Sequence, residues 1–332
     1  MILSALIQAA AASQKDGDFF FPAQSSTNAG TVDAIYYFIF WTSAVAFALI
    51  VGATIYFALK YRRTKVGINP EDSPHHSTSI EIVWSVIPTI FMVVMFKWGF
   101  EDYVDRRTPP ADAYTVNVQA MKWAWNYSYQ EGAETNGGWL GGPGDGLVVP
   151  VNTPIRLKIS SMDVLHSFFV PAFRIKMDAV PGRYTYAWFE ATEVGDYPVY
   201  CTEYCGTRHS RMLSMVKVVT QEEFDAWMAT QTDLGSLPPL EAGRKLYERK
   251  CISCHMVDGS KLVGPPLNGL YGQQESLADG SSVLVDENYL RESILEPAAK
   301  IVAGYDNAMP SFAGQLSEEE LDWLILYIES IK

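Results

Sequence analysis

The chain has 332 residues, which is too long for one small domain and suits two or three folded units. Its formal net charge of −13 at pH 7 argues against a nucleic-acid-binding protein, because such proteins present basic surfaces. Two interpretations of the acidity stay open. It either speeds the encounter with a basic partner or only keeps the protein soluble.

Two stretches in the N-terminal third are apolar enough to cross a membrane. The run Ala34–Leu59 has no charged side chain and is long enough for a hydrocarbon core of about 30 Å. The second run, Ile82–Phe96, tolerates Pro88 and reaches Phe100 if Lys97 extends its amine outward. The pattern predicts a transmembrane helical hairpin, with two buried core helices as the weaker alternative.

Charged residues around these runs set the expected orientation. The loop between the runs carries a basic cluster, which consists of Lys60, Arg62, Arg63 and Lys65. Basic loops stay in the cytoplasm, so both termini should lie on the outer side, and the acidic flanks Asp33 and Glu101 agree. The apolar segment Met1–Ala12 resembles a signal peptide but lacks a basic start.

From about Thr108 the pattern changes to short segments rich in β-branched and aromatic residues. The clearest of them are Tyr114–Gln119, Ile155–Ser160, Tyr184–Phe189 and Met215–Val219. Turn signals separate them, such as the glycine-rich run 141–144 and Pro181-Gly182. Many short strands at this spacing predict a β-sandwich or barrel.

The C-terminal part has a helical pattern. It begins near Gln221, loosens at Gly235–Pro239 into an expected linker, and becomes helical again at both ends of the last segment. Ser317 and Glu320 form a capping box, which predicts the start of the closing helix. The apolar face of that helix would consist of Leu321, Leu324, Ile325 and Ile328.

The chain has four cysteines, and they fall into two tight pairs, each followed closely by a histidine. The first pair, Cys201 and Cys205, lies in a loop with His209 and Met212, and His166 lies upstream at the end of a strand-like segment. Soft sulfur together with imidazole favours copper or zinc over hard cations. Cysteines this scarce and this grouped suggest ligands or attachment points more than a disulfide framework.

Several sites compete for the first pair. A Cys201–Cys205 disulfide leaves the histidines and Met212 unexplained, and zinc has no use for the methionine. A single blue copper needs one cysteine, so the second is surplus. Two coppers bridged by two thiolates use every group, with one histidine on each copper, Met212 weakly on one and a backbone carbonyl on the other. The disulfide and zinc remain the alternatives.

This loop, with Asp163-Val-Leu-His166-Ser before it, resembles subunit II of haem–copper cytochrome c oxidases, over roughly residues 30–220. The resemblance implies a two-helix anchor and a cupredoxin domain that holds the dinuclear copper centre called CuA. The implied copper ligands are His166, Cys201, Cys205, His209, Met212 and the backbone carbonyl of Glu203. It also implies a magnesium ion at the interface with subunit I, reached by the Glu203 side chain.

Two further positions match the family pattern. Trp123 stands where the family has its electron-entry surface, although Met121-Lys122 precede it in place of the usual His-Gln; plain core packing is the alternative. Glu81 stands where the family has a glutamate at the mouth of a proton channel into subunit I. A solvated residue at the membrane edge is the alternative for Glu81.

The second cysteine pair belongs to Cys251-Ile-Ser-Cys254-His255, the signature of covalent haem c attachment. His255 would ligate the iron from one side, and Met309 is the best candidate for the other side, since a Met/His pair raises the iron potential. A redox Cys-x-x-Cys motif is the weaker alternative. The segment resembles a class I cytochrome c over nearly its whole length. Basic residues beside the signature form either a docking rim or a solvated helix face; they are Arg244, Lys245, Arg249 and Lys250.

The predicted fold is therefore multidomain: a transmembrane helical hairpin, a cupredoxin-like Greek-key β-sandwich or barrel, and an all-α cytochrome c domain. The expected boundaries are an N-terminal segment at 1–30, the hairpin at 31–103, the cupredoxin domain at 108–220, a linker at 221–239 and the cytochrome domain at 240–332. A subunit II with a fused cytochrome c is typical of bacterial caa-type oxidases, which implies a two-pass protein of the bacterial inner membrane with both redox domains on the periplasmic side.

The expected function is electron entry into a proton-pumping oxidase. Haem c accepts electrons, CuA receives them from the haem, and subunit I, which carries haem a and CuB, reduces oxygen. Subunit III, membrane lipid and an external donor are further expected partners. The donor would be a soluble cytochrome c, an iron–sulfur protein or a quinol-oxidising complex. The alternatives are a CuA subunit of a nitric oxide or nitrous oxide reductase and a membrane-anchored electron carrier.

Overall fold

The computed structural model describes five stretches of the chain, namely residues 17–62, 76–137, 145–231, 234–252 and 254–331. The fold divides into two compact units. The first unit includes Asn28–Thr108, and the second includes Ser25–Thr27 and everything from Pro109 onward.

Three features expected from the sequence lie outside the described residues. They are the leader-like segment Met1–Ala12, the basic residues Arg63 and Lys65, and the glycine-rich turn at 141–144. Lys60 and Arg62 are described, at the end of the first long helix.

The first unit consists of two long apolar helices, α1 (Ala29–Lys60) and α2 (Thr78–Arg107). Both are long and apolar enough to cross a membrane, and each contains the predicted span. They touch through aromatic side chains, since the ring of Phe38 lies 6.5 Å from that of Phe91 and 5.7 Å from that of Trp98. Their apolar side chains are otherwise largely exposed, as expected for helices that face lipid or another subunit.

The second unit begins with a two-sheet sandwich of ten strands. They are β1 (Tyr114–Met121), β2 (Ala124–Tyr129), β3 (Glu134–Asn136), β4 (Leu147–Pro150), β5 (Pro154–Ser161), β6 (His166–Val170), β7 (Ile175–Ala179), β8 (Thr185–Glu190), β9 (Gly195–Cys201) and β10 (Leu213–Val219). One sheet has the order β3-β2-β1-β5-β8 and the other β4-β10-β9-β6-β7. The pairs β1–β5 and β4–β10 are parallel, and the remaining pairs are antiparallel.

Alternating side chains fill the space between the two sheets. On β1, Val116 and Val118 are fully buried, while Asn117 between them is exposed. Leu157 lies opposite Val116 in the parallel register of β5, and it is fully buried as well. Burial of each such aliphatic side chain contributes about 1.5–3 kcal/mol. The period-two pattern seen in the sequence therefore produces the core that holds the loops in place.

A short helix, α3 (Gln221–Thr230), follows the sandwich and starts with a capping box between Thr220 and Glu223. Its Phe224 is buried in the sandwich core, and the ring of Trp227 lies 5.1 Å from that of Tyr129. The first part of the expected linker therefore packs on the sandwich as an ordered helix.

The C-terminal part is mostly helical and has its own core. It consists of α4 (Pro239–Lys250), a small hairpin of β11 (Gln274–Ser276) and β12 (Ser282–Leu284), then α5 (Glu287–Leu295) and α6 (Glu318–Ser330). Helix α6 begins with the predicted capping box between Ser317 and Glu320, and the four predicted apolar residues of its face are all buried. The fold class expected from the sequence is confirmed.

Helices α4 and α6 cross at Gly243, where a side chain has no room. A Cβ atom at this position would lie 1.9 Å from the backbone oxygen of Trp323. We expect Gly243→Ala to destabilise the C-terminal domain by about 3 kcal/mol, because the helices must move apart. Thermal unfolding of the full chain would measure this, with Arg244→Ala, an exposed neighbour, as the control that changes little. Equal stability of both variants would contradict the close crossing.

Candidate metal and haem sites

The sandwich brings together the ligand-type side chains that the sequence singles out. Strand β9 ends at Cys201, and β6 starts at His166, which is fully buried. The two strands are hydrogen-bonded neighbours, with Cys201 opposite Phe168. The loop from Cys201 to β10 folds back through a 3₁₀ turn that contains His209, and Met212 follows it. This loop therefore lies beside β6, on a rigid scaffold.

Sulfur and imidazole atoms in this loop form one compact cluster. The sulfur atoms of Cys201 and Cys205 are 3.7 Å apart, too far for a disulfide bond of about 2.05 Å. The Nδ1 atom of His166 lies 3.1 Å from the Met212 sulfur and 4.0 Å from the Cys201 sulfur. The Nδ1 atom of His209 lies 3.5 Å from the Cys205 sulfur.

A backbone oxygen completes the cluster. The carbonyl of Glu203 lies 3.3 Å from the Cys201 sulfur. The donor set thus contains two thiols, a thioether, two imidazoles and one carbonyl, all within a single loop and the strand beside it. Soft sulfur and imidazole ligands in this proportion fit copper, and two bridging thiols fit a metal pair.

The hydrogen bond between the two cysteines shifts their pKa values in opposite directions. It lowers the pKa of Cys201 and raises the pKa of Cys205. Burial opposes protonation of His166, but its hydrogen bonds to Asp163 and Cys201 outweigh burial and raise its pKa. The lowered pKa of Cys201 favours its thiolate, which is the form that binds metal.

Asp163 orients the buried histidine, a role that the sequence reasoning did not assign. One carboxylate oxygen lies 2.8 Å from Nε2 of His166, so Nε2 donates to it and Nδ1 is left facing the sulfur atoms. The other oxygen accepts the backbone N–H of Lys122 at 2.7 Å. The available signal was an acidic residue near a candidate histidine ligand, since a ligating histidine commonly donates its other ring N–H to a carboxylate.

We expect Asp163→Ala to lower copper affinity by about 10- to 100-fold, because the imidazole of His166 loses its fixed orientation. Asp163→Asn keeps an oxygen acceptor and should recover most of the affinity. Copper titration of the metal-free protein against a competing chelator measures both variants. Equal affinities for wild type and Asp163→Ala would contradict the orienting role.

The indole of Trp123 packs directly on the metal-ligand loop. A Cβ atom at Gly206, which has φ = +121°, would lie 3.1 Å from Cζ2 of Trp123. Glycine at this position therefore lets the indole approach the residue next to Cys205. Within the described part of the chain, the buried Nε1 of Trp123 has no hydrogen-bond partner.

A second, mainly apolar cavity lies in the helical domain. Cys251, Cys254, His255 and Met309 all line it. Its walls also include aliphatic side chains from α5 and α6, such as Leu290 and Leu324. An apolar cavity lined by two thiols, an imidazole and a thioether fits a covalently attached porphyrin.

Burial within this cavity shifts the pKa of two of the lining groups. It raises the pKa of Cys251 to about 12. Burial also lowers the pKa of His255, although its hydrogen bond to the Pro265 carbonyl partly opposes this. That 2.8 Å hydrogen bond uses Nδ1 and leaves Nε2 of the neutral ring for a metal.

Glu81 lies apart from both clusters along the chain, in the first turn of α2. Its carboxylate accepts a hydrogen bond of 3.2 Å from the backbone N–H of Ser77. Carboxylates are favourable at helix N-termini, so this contact also agrees with a boundary residue.

Comparison with known proteins agrees with these sites. A family model described as "Cytochrome C oxidase subunit II, transmembrane domain" matches residues 14–101, and one described as "Cytochrome C oxidase subunit II, periplasmic domain" matches residues 143–219. Residues 238–328 match "Cytochrome C oxidase, cbb3-type, subunit III".

Relatives of known name are similar over most of their length. Cytochrome c oxidase subunit 2 of Alkalihalophilus pseudofirmus is 30% identical over 300 residues, which cover 87% of this chain and 84% of that protein. The probable cytochrome c oxidase subunit 2 of Rickettsia bellii is 28% identical, over 60% of this chain and 78% of its own. The crystal structure of the periplasmic domain of subunit II from Bradyrhizobium japonicum is 34% identical, covers 37% of this chain and 96% of its own, and has a TM-score of 0.36.

The two apolar helices, which the transmembrane-domain model matches, and the sandwich, which the periplasmic-domain model matches, indicate a membrane-anchored protein with an extracellular domain. The chain belongs to the cytochrome c oxidase subunit II family and carries a cytochrome c domain at its C-terminus. It is therefore a subunit of an oxidase, subunit I is its partner, and the matched domains imply CuA copper and haem c.

Proposed function

We propose that this chain is the electron-entry subunit of its oxidase. When bound, haem c and dinuclear CuA supply the redox chemistry, by which electrons from an external donor reach subunit I for proton-pumping reduction of oxygen. The observation that carries the proposal is the presence of two sets of ligand-type side chains in one compact unit, with the Cys254 sulfur 3.9 Å from the backbone oxygen of Lys122.

The chain's own residues would hold each group in a fixed geometry. Copper ligation falls to His166, Cys201, Cys205, His209, Met212 and the Glu203 carbonyl. Their positions on a β-scaffold limit rearrangement when the charge of the site changes. Haem attachment falls to Cys251 and Cys254, with His255 and Met309 as the iron ligands. The apolar cavity walls would exclude water from a bound haem.

The proposal includes three further residue roles. The exposed Glu203 side chain would bind magnesium at the subunit I interface, while its carbonyl faces the sulfur cluster. Trp123 would lie on the route into the copper site, since its indole packs on Gly206. Glu81 would lie at the cytoplasmic end of α2, at the mouth of a proton channel, in a two-pass protein of the bacterial inner membrane with its redox domains in the periplasm.

The test is purification of the intact chain with its partners from the membrane. We expect it to copurify with a large haem-bearing subunit I, with subunit III as a further expected partner, and to support oxygen uptake. A soluble cytochrome c, an iron–sulfur protein and a quinol-oxidising complex would be compared as electron donors. Recovery of the chain alone, or turnover of nitric oxide without oxygen uptake, would contradict the proposal.

A further inference from the structure

Met121 is buried outside the hydrophobic core of its own domain. It is 2% exposed at the end of β1, and among the described residues it packs in neither of the two large hydrophobic cores. It lines the haem-type cavity together with Cys254 and His255 of the cytochrome domain. A residue of the sandwich therefore forms part of the wall of that cavity.

A partly buried ion pair joins the two domains beside this contact. The Lys250 amine lies 2.9 Å from a carboxylate oxygen of Glu134 on β3, and the two side chains are 17% and 34% exposed. Lys250 is the last residue of α4, where a cation is favourable. By contrast, Arg244 and Lys245 pair with acidic residues of their own helix. Of the four basic residues beside the haem signature, Lys250 therefore contributes to the interdomain contact.

Two contacts between a side chain and a backbone carbonyl complete the interface. The side-chain amide of Asn136, which is 8% exposed, donates a hydrogen bond to the carbonyl of Glu248. The carbonyl of Lys122 lies 3.9 Å from the Cys254 sulfur. The contact therefore includes a buried apolar residue, an ion pair and a buried hydrogen bond, which is the composition of a specific interface.

We propose that the Met121–Trp123 turn and strand β3 form a docking surface for the chain's own cytochrome domain, which closes the Cys254 side of the haem cavity against Met121. The role of this docked state in electron transfer rests on the proposed function, whereas the contact itself does not. Met121 and Lys122 are also the positions at which the chain departs from the family pattern before Trp123. The docked arrangement gives those two residues a role at the interface.

Zero-length cross-linking tests the docking directly in the purified oxidase that contains the full chain. A water-soluble carbodiimide activates the Glu134 carboxylate, and the Lys250 amine displaces the activated oxygen to form an amide, with the carbodiimide converted to its urea. We expect a peptide that joins the segments around Glu134 and Lys250 in mass spectra of the digested protein. Lys250→Arg keeps the charge but should abolish this cross-link.

The rate of electron transfer from haem c to the copper provides a second test of the Glu134–Lys250 ion pair. After photochemical reduction of haem c, we expect Glu134→Lys or Lys250→Glu to slow electron arrival at the copper by about fivefold or more, because like charges oppose docking. The exchanged double variant, Glu134→Lys with Lys250→Glu, should restore the rate. Lys245→Glu, a matched charge reversal on the same helix, should leave it unchanged.

The outcomes separate this inference from the proposed function. If no electron reaches the copper in the wild-type protein while the cross-link forms, the relay is wrong and the docking surface stands. If electrons reach the copper but the wild-type cross-link is absent, the docking surface is wrong. Single charge reversals that leave the rate unchanged would also overturn it.

Discussion

Replacing Cys205 with serine should abolish the dinuclear copper site and leave the covalent haem in place. The sulfur of Cys205 lies within 4 Å of three other candidate ligand atoms, from Cys201, His209 and Met212. A hydroxyl is a poor bridge between two soft metal ions, so both coppers lose a ligand at once. We expect oxygen uptake with an external donor to fall by more than about 100-fold. Copper analysis and oxygen consumption on the purified oxidase measure the two effects.

The matched control for this change is Ser210→Ala. Ser210 lies in the same loop and is exposed, so loss of its hydroxyl should alter neither copper content nor turnover. If Cys205→Ser kept two coppers and normal oxygen uptake, the bridging arrangement would be wrong. If it lost haem together with copper, the two sites would not be separate.

Met309→Ala should change the haem without changing the copper. Met309 lines the haem cavity and packs against the cytochrome core. Loss of its thioether would leave the iron with one strong axial ligand, which raises the spin state and lowers the reduction potential. Redox titration and electron paramagnetic resonance of the full chain measure both changes, while the copper absorption should stay as in the wild type.

Met256→Ala is the matched control, since Met256 adjoins His255 in sequence and has the same side chain as Met309. We expect it to keep the wild-type spin state and potential. A normal haem in Met309→Ala, with a high-spin haem in Met256→Ala, would show that Met256 and not Met309 is the iron ligand. Simultaneous loss of the haem and copper signals in Met309→Ala would argue against two independent sites.

The elements were predictable because their signals are local. The strand pattern at Tyr114–Gln119 and the capping box at Ser317 lie within a few residues of the structure they determine, and both agree with the observed elements. The same holds for the sulfur-rich loop, where Cys201 and Cys205 are four residues apart and converge through one turn. Ligand-type residues at such spacing point to a site before any fold is known.

Interactions between distant parts of the chain were not predictable in this way. Asp163 binds the backbone of Lys122, 41 positions away, and Asn136 binds the carbonyl of Glu248, 112 positions away. No periodicity in either segment indicates these partners, because they depend on how the sheets and the helical domain pack. The packing of helix α3, within the expected linker, is also a long-range interaction, since the sandwich core buries its Phe224.

The proposed function depends on the division of the four thiols between one metal pair and one porphyrin. A quantitative determination of copper and covalent haem on the intact chain, combined with the masses of its cysteine-containing peptides, tests this division. We expect two coppers per chain and one haem bound through Cys251 and Cys254. Unmodified Cys251 and Cys254, or a disulfide between Cys201 and Cys205 in the active protein, would contradict it.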